Sequence, residues 1–466
     1  MVVKTDLAVI GGGPGGYVAA IRAAQLKKKV VLFEEDAIGG TCMNYGCIPA
    51  KHLLHQTKVY KDIASHPALS GPRDQIVLNW AQVQADKLKV IARLVKGTEF
   101  LLQKNGVEVV RAKAHLANER RIAVRSEDGE RSYEAERIIL ATGSRPAELP
   151  FLKIDGKIVV SSTTALAFES IPKNMVVVGG GAIGLEIGTI YRRLGTDVTI
   201  LEIMPTVLPG CDMEMGKRIE RLLKIQGLKI ATQMKIEKAA VSGGRALLSG
   251  VCLRDGKPFE IDAGCVLLAA GRRPNSENLH AGAPVVSLNA AGCVEINDRC
   301  ETRVPGIYAV GDLVGGRLLA HKASHEGLAA AVNACGGRAS VNDPVLPMAV
   351  FIEPEFASVG LTEEEARQRT DRIRTGLFSF QANGRALTMN SPEGLVKIIA
   401  DADDRILGAH ILGPSASDLI AELTLAIRCG LTARDVAETI HIHPTLSEAV
   451  GEAALKVRGE AIHALN

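Results

Sequence analysis

The sequence predicts an α/β protein in which two parallel-sheet units are followed by a C-terminal α+β segment. Three observations carry this expectation. A buried-strand run, Asp6–Ile10, leads into Gly11-Gly12-Gly13-Pro14-Gly15-Gly16. The same grammar recurs where Met175–Val178 leads into Gly179-Gly180-Gly181-Ala182-Ile183-Gly184. From about Pro347 the pattern changes, with Val396–Ile399 and Ile406–Ile411 reading as antiparallel strands and Asp418–Arg428 and Ala433–Glu438 as helices.

Each early unit is a strand–turn–helix–strand start. After the first glycine run a helix extends to about Leu26 and the strand Val30–Phe33 ends at Glu34. After the second, a helix reaches about Leu194 and the strand Asp197–Leu201 ends at Glu202. Near-continuous apolar strands flanking such a helix belong to sheets covered on both faces. Three further strand-to-glycine junctions are Arg137–Gly143, Val266–Gly271 and Gly306–Asp312. The copies lie far apart, so this is a duplicated unit and not a solenoid. The 466 residues suit about three domains, with boundaries expected near 148, 273 and 346.

Composition excludes several functions. Hydrophobic residues are 47% and charged residues 23%, as in ordinary globular proteins. Aromatic content of 3% argues against stacking on single-stranded nucleic acid. A formal charge of +3 without a basic block argues against nucleic acid and anionic membranes as partners. No stretch approaches the ~18–20 apolar residues of a membrane span. The first strand begins almost at once, without the layout of a signal or transit segment, so the expected location is the cytosol. There a catalytic disulfide is plausible and a structural one is not.

Gly11-x-Gly13-x-x-Gly16 and Gly179-x-Gly181-x-x-Gly184 fit the dinucleotide fingerprint. The first glycine makes the turn, the second lets backbone approach a pyrophosphate, and the third lets helix and strand pack closely. The helix N-terminus then faces the phosphates. Two such matches in the right context predict two Rossmann-like dinucleotide-binding domains. Glu34 and Glu202 stand where ribose hydroxyls would be bound. Glu202-Ile203-Met204 offers no arginine for a 2′-phosphate, which favours NAD over NADP.

Cys42 and Cys47 follow in Gly39-Gly40-Thr41-Cys42-Met43-Asn44-Tyr45-Gly46-Cys47-Ile48-Pro49-Ala50-Lys51. On a regular helix their Cα atoms would lie over about 8 Å apart, beyond the ~7 Å reach of a disulfide. A bridge therefore needs a distorted segment, which Gly46 permits, and a strained bridge is readily reduced. From spacing alone, two neighbouring buried thiols remain an alternative. The remaining cysteines (Cys211, Cys252, Cys265, Cys293, Cys300, Cys335 and Cys429) show no ligand spacing and read as small buried or incidental residues.

A thiolate is the attacking species in disulfide exchange, so a base is required. Histidine, titrating near 6.5 when unperturbed, suits the role. His443 precedes Pro444, and Glu448 is near enough in sequence to orient its ring. Taken alone, a C-terminal His-Pro is more often structural. His441 and His443 also form His-x-His, but without a further ligand cluster no metal site is expected.

Taken together, these residues resemble the pyridine nucleotide-disulfide oxidoreductases, and within them the members that oxidise dihydrolipoamide. The match spans nearly the whole chain: both fingerprints, Gly-Gly-Thr-Cys-x-Asn-x-Gly-Cys-Ile-Pro-x-Lys, Ala141-Thr-Gly143, Gly311-Asp312 and His441-Ile-His443-Pro-Thr-Leu-Ser-Glu448. The resemblance implies an FAD-binding domain at 1–148, an NAD-binding domain at 149–272, a central domain at 273–346 completing the FAD site, and an α+β dimerisation domain at 347–466. It implies that Cys42 and Cys47 form a redox disulfide, with Cys47 beside the flavin and Cys42 exchanging with substrate. Lys51 and Glu186 would pair near the reactive edge of the isoalloxazine, Glu34 would hold the adenosine ribose of FAD, and Asp312 the ribityl chain. Thr41, Ala114, Thr142, Gly143, Gly271 and Ala320 fall at further cofactor positions. His443, with Glu448, would act on the cysteines of the other subunit of a homodimer. The implied partner is a lipoyl-bearing acyltransferase or carrier protein of a multienzyme complex. Met43, Tyr45 and Ala50 depart from commoner family residues and bear on substrate fit. A glutathione-type reductase should carry arginines after the second fingerprint, and a mercuric reductase should end in vicinal cysteines. This chain does neither, ending Ile462-His-Ala-Leu-Asn466. A non-catalytic scaffold is disfavoured by the intact Cys42, Cys47, His443 and Glu448.

Overall fold

The computed structural model describes residues 2–66, 68–69, 76–126, 129–280, 282–283, 285–342 and 345–466. Strand β1 (Val2–Ile10), helix α1 (Pro14–Gln25) and strand β2 (Val30–Glu34) open the chain. All of β2 and the end of β1 are buried, as strands covered on both faces must be. Helices α2 (Gly40–Tyr45), α3 (Cys47–Ser65) and α4 (Trp80–Lys104) then leave the sheet. The chain returns in β3 (Glu108–Arg111), β4 (Lys113–Leu116), β5 (Arg121–Ser126) and β6 (Gly129–Leu140). The order is β3-β2-β1-β6-β5-β4, parallel from β3 to β6 and antiparallel beyond.

Strand β7 (Ser144–Pro146) leads out to a second unit, which starts with β8 (Val159–Val160) and α5 (Ser162–Ala165). There follow β9 (Asn174–Val178), α6 (Ala182–Arg193), β10 (Asp197–Leu201), α7 (Met213–Ile225) and β11 (Lys229–Ala231). An antiparallel sheet of β12 (Met234–Ser242), β13 (Arg245–Cys252) and β14 (Pro258–Ala263) precedes β15 (Val266–Leu268). The main sheet here runs β11-β10-β9-β15-β8, every pair parallel. Strand β16 (Arg272–Pro274) pairs with β7, so two antiparallel strands carry the chain into and out of this unit.

The chain then rejoins the first sheet. Strand β17 (Ile307–Ala309) pairs in parallel with β6, and helix α8 (Ala320–Ala334) lies on α1. Alanines 19, 20 and 23 share a core with alanines 329, 330 and 331, and small side chains let the two helices meet closely. A Cβ on Gly327 would lie 2.3 Å from the Gly15 carbonyl oxygen, so a larger residue there would force the helices apart.

The last segment is a separate antiparallel layer. It comprises β18 (Met348–Val350), β19 (Glu355–Gly360), α9 (Glu363–Arg369), β20 (Arg374–Ser379), α10 (Gly384–Thr388), β21 (Leu395–Ala400) and β22 (Ile406–Gly413). Helices α11 (Ala416–Arg428), α12 (Ala433–Ala437) and α13 (Glu448–Val457) share its core. The order is β18-β19-β22-β21-β20, all antiparallel. The fold class expected from the sequence is thus the one observed. Among the described residues no helix is long and apolar enough to cross a membrane.

Candidate active site

The two glycine loops are built alike. A Cβ on Gly16 would lie 1.8 Å from the Gly11 carbonyl oxygen, and one on Gly184 would lie 2.1 Å from that of Gly179. Only hydrogen fits between strand end and helix at either place. Around Gly13 and Gly181, by contrast, a Cβ would meet nothing within 4 Å. These two residues also cap α1 and α6 without any side-chain hydrogen bond. The first N–H groups of each helix thus have no side-chain cap, and the loop beside them leaves room, which suits a diphosphate. Replacing Gly16 with alanine should therefore destabilise the chain by about 3 kcal/mol or more and abolish flavin retention. A denaturant midpoint and the flavin content per chain check both outcomes.

Glu34 ends β2 and Glu202 directly follows β10, both buried. Glu34 Oε2 accepts from Gly12 N–H at 2.7 Å and Oε1 from Asp36 N–H at 2.9 Å. Glu202 does the same with Gly180 N–H at 2.6 Å and Met204 N–H at 2.8 Å. Burial pushes the Glu34 carboxyl up, while the two backbone bonds oppose that shift. A carboxylate offers about four acceptor sites, so each retains capacity for ribose hydroxyls. A third buried carboxylate repeats the device: Glu326 accepts from Gly311 N–H at 2.7 Å and pairs with Lys322 at 2.7 Å. The sequence reading did not identify Glu326.

The cysteines lie at a break between helices. Gly46, with φ −136° and ψ −99°, interrupts the helical path after α2, and Cys47 opens α3. The two thiols lie close enough for each to shift the other's ionisation. Both are half-buried. Gly39 N–H donates to the Gly12 carbonyl at 2.8 Å, and a Cβ on Gly40 would lie 2.8 Å from Gly13 Cα. The cysteine segment is thus packed directly on the first fingerprint loop. Thr41 is exposed on α2, beside Cys42.

The proton is unevenly shared between the thiols. The hydrogen bond from Cys42 lowers the Cys47 thiol to about 7, and the Lys51 charge also lowers it against an opposing burial effect. Cys42, as donor, is held far above the ordinary thiol range by the same bond and by burial. Lys51 lies one turn beyond Cys47, the spacing at which helical side chains meet. Its ammonium is 2.8 Å from Glu186 Oε2 and 4.5 Å from the centre of the Phe351 ring. Glu186 Oε1 also accepts from Phe351 N–H at 3.0 Å.

Asp312 follows β17 in a short helical turn. Ser144 donates its hydroxyl to Asp312 Oδ2 and accepts from Arg272 Nε at 2.7 Å. Arg272 Nη2 also donates to the Ser144 carbonyl at 2.7 Å. Burial pushes the Arg272 guanidinium down, and Asp312 and Cys47 oppose that shift. Sequence reasoning missed Ser144 and Arg272, although each directly follows a glycine already singled out, Gly143 and Gly271. Thr142 exchanges two bonds with Asn275, each 2.9 Å, and Gly143 accepts from Asn275 N–H at 2.9 Å. Gly271 accepts from Ala147 N–H at 3.0 Å. Ala114 lies half-buried on β4, two residues past Ala112, whose N–H donates to Glu34 O at 3.0 Å. Ala320 is the first residue of α8, whose start also lacks a side-chain cap.

His443 Nδ1 is 2.8 Å from Glu448 Oε1, and Glu448 Oε2 accepts from Thr445 N–H at 2.8 Å. The imidazole is 81% exposed. Burial raises the Glu448 carboxyl, but His443 and the Thr445 N–H carry it below the ordinary range. The thiol pair and the His443–Glu448 pair share no hydrogen bond among the described residues. His441 serves another contact, with Nε2 2.9 Å from Glu422 Oε1.

Comparison with known proteins agrees with this geometry. Residues 5–327 match the family model described as pyridine nucleotide-disulphide oxidoreductase, and residues 346–454 match that family's dimerisation domain. The chain is 44% identical over 469 residues to a dihydrolipoyl dehydrogenase of Thermus scotoductus, covering 99% of both chains. It is 41% identical over 465 residues to that of Geobacillus stearothermophilus, covering 99% of this chain and 98% of the relative. Among solved structures, LpdA of Mycobacterium tuberculosis superposes with a TM-score of 0.86 at 26% identity, over 97% of this chain and 99% of the other. With both nucleotide loops, the cysteine pair and the last layer all in place, the chain belongs to the pyridine nucleotide-disulphide oxidoreductase family.

Proposed function

We propose that the chain oxidises dihydrolipoamide to lipoamide and reduces NAD+ to NADH, with FAD as the bound cofactor. The observation that carries this reading is the close Cys42–Cys47 pair, whose segment is packed on the first fingerprint loop. The names of its relatives, dihydrolipoyl dehydrogenases, point to the same substrate.

In the oxidised enzyme Cys42 and Cys47 are joined by a disulfide. His443, held by Glu448, takes the proton from one substrate thiol. The resulting thiolate attacks Cys42 Sγ, the Cys42–Cys47 bond breaks, and its electron pair goes to Cys47 Sγ. The second substrate thiol then attacks the substrate sulfur bonded to Cys42, and its proton passes to the departing Cys42 Sγ. Cyclic lipoamide leaves, and Cys42 and Cys47 remain reduced by two electrons. The thiolate resides on Cys47, where Lys51 and the Cys42 hydrogen bond stabilise it. Bound FAD supplies the two-electron link between this pair and NAD. The first loop, Glu34, Lys51, Glu186, Ser144 and Asp312 hold it, and the loop at Gly179–Gly184 with Glu202 holds NAD. Two substrates used in turn give ping-pong kinetics.

The chain works as a homodimer with shared active sites. Supporting this, His443 is exposed beside Ile440 and Ile442, which are 95% and 76% exposed in the single chain and suit a partner surface. The domains divide at 1–148, 149–272, 273–346 and 347–466. The enzyme resides in the cytoplasm and receives its substrate on a lipoyl-bearing acyltransferase or carrier protein of a multienzyme complex. Mixing the flavin-loaded protein anaerobically with dihydrolipoamide should bleach its visible bands, and adding NAD+ should restore them. Bands unchanged by dihydrolipoamide would contradict the assignment.

Cofactor choice follows from Glu202. A 2′-phosphate would be brought against a buried carboxylate, and the neighbouring Ile203 and Met204 offer it no cation. Like-charge juxtaposition costs several kcal/mol. The expected kcat/KM for NAD+ exceeds that for NADP+ by at least about 100-fold, which steady-state rates with the two nucleotides will check.

A further inference from the structure

Helices α3 and α6 both begin at reacting groups. α3 starts with Cys47, and α6 starts at the second fingerprint. The pair Lys51–Glu186 joins them near those ends and is tied to the Phe351 N–H. Seven residues further along each helix, two turns or about 10.5 Å on, a second junction repeats the arrangement. Arg193 Nη2 is 2.7 Å from Glu353 Oε2, and its Nη1 donates to the Leu54 carbonyl of α3 at 3.0 Å. Lys58 Nζ, from α3, is 2.8 Å from Glu353 Oε1. Both junctions therefore fasten α3 and α6 to the same short segment, 351–353.

The second junction is well protected. The Arg193 side chain is only 5% exposed. Burial pushes its guanidinium down, with Glu353 opposing. Burial would likewise raise the Glu353 carboxyl, but the Lys58 bond and the Arg193 charge bring it below the ordinary range. A buried guanidinium whose planar fork is divided between a carboxylate and a helix carbonyl fixes direction as well as distance.

We infer that Arg193 is a positioning residue: through Glu353 and the Leu54 carbonyl it holds α6 in register with α3, and so keeps Lys51 beside Cys47. The inference rests on the redox reading of Cys47 and extends it to a residue that touches neither substrate nor cofactor. Cys42, Lys51 and Glu186 act on Cys47, and so does the Arg272 guanidinium of β16, which the second junction does not touch. If register is what matters, loosening the second junction from either side withdraws Lys51 and raises the Cys47 thiol.

The test separates this from simple electrostatics. In the reduced, FAD-loaded protein, the rate of Cys47 alkylation by iodoacetamide is followed by mass spectrometry across pH. Removing a cation by Arg193→Met and removing an anion by Glu353→Gln have opposite direct effects on a nearby thiol. Positioning instead predicts that both raise the alkylation midpoint, by about one pH unit, the scale of a lost opposite charge. Arg193→Lys should restore most of the shift. Should Arg193→Met fail to fold, the near-isosteric Glu353→Gln still decides the matter. Opposite shifts in the two variants, or lowered thermal midpoints with unmoved alkylation, overturn the inference while leaving the proposed reaction intact. A wild-type midpoint at the ordinary thiol value overturns both.

Discussion

Replacing Cys47 with serine is expected to lower dihydrolipoamide oxidation by more than about 10³-fold, the scale on which loss of a catalytic nucleophile is felt. Serine matches cysteine in shape but cannot form the disulfide that takes up the electron pair. The half-buried site at the start of α3 contributes little core, so the folded chain should survive. Both fingerprint loops stay intact, and electron transfer from NADH to an artificial acceptor through bound FAD should therefore persist. Measuring the two activities on one preparation gives the answer. Loss of both together would point to a flavin site that had collapsed.

Replacing His443 with glutamine should reduce turnover by about 10²–10⁴-fold, the usual contribution of a general base. The exposed imidazole makes one side-chain hydrogen bond among the described residues, to Glu448, so the cost to chain stability should be small. Here too the NADH-to-acceptor rate should be unchanged. The pH dependence carries a sign. Glu448 is held below the ordinary carboxylate range, so its orienting charge is present above that range and is lost only as pH falls through the lowered value. Glu448→Gln should therefore slow turnover at neutral pH, where the native carboxylate is ionised, and should bring variant and native rates together in acid.

What the sequence made legible was local. The glycine fingerprints announce themselves because the steric demand is met within a few residues, as the contact between Gly16 and Gly11 illustrates. Gly46 could be named as the break because a helix cannot bring Cys42 and Cys47 together. Strands such as β9 and β21 were visible as apolar runs, and the structure extends the second from Val396–Ile399 to Leu395–Ala400.

The remainder depends on residues far apart in the chain. Arg272 reaches Ser144 across 128 positions, and Arg193 reaches Glu353 across 160. Neither pairing leaves a periodic trace in the sequence. Lys397 illustrates the difficulty most clearly. In an alternating strand a lysine reads as solvent-facing, yet this one is 1% exposed and is paired with Asp212 at 2.9 Å and Glu363 at 2.8 Å. The carboxylates that neutralise it come from α9 and from the N-cap of α7, elements whose approach only the folded chain reveals.

The central claim is that dihydrolipoamide exchanges electrons with the protein at Cys42 and Cys47. Thiol alkylation of the air-oxidised, FAD-loaded protein, before and after one equivalent of dihydrolipoamide under argon, tests it most directly. Mass spectrometry should find Cys42 and Cys47 unlabelled at first, both labelled after the reductant, and both protected again once NAD+ is added. Labelling of the two before any reductant, or indifference to dihydrolipoamide, would contradict the account.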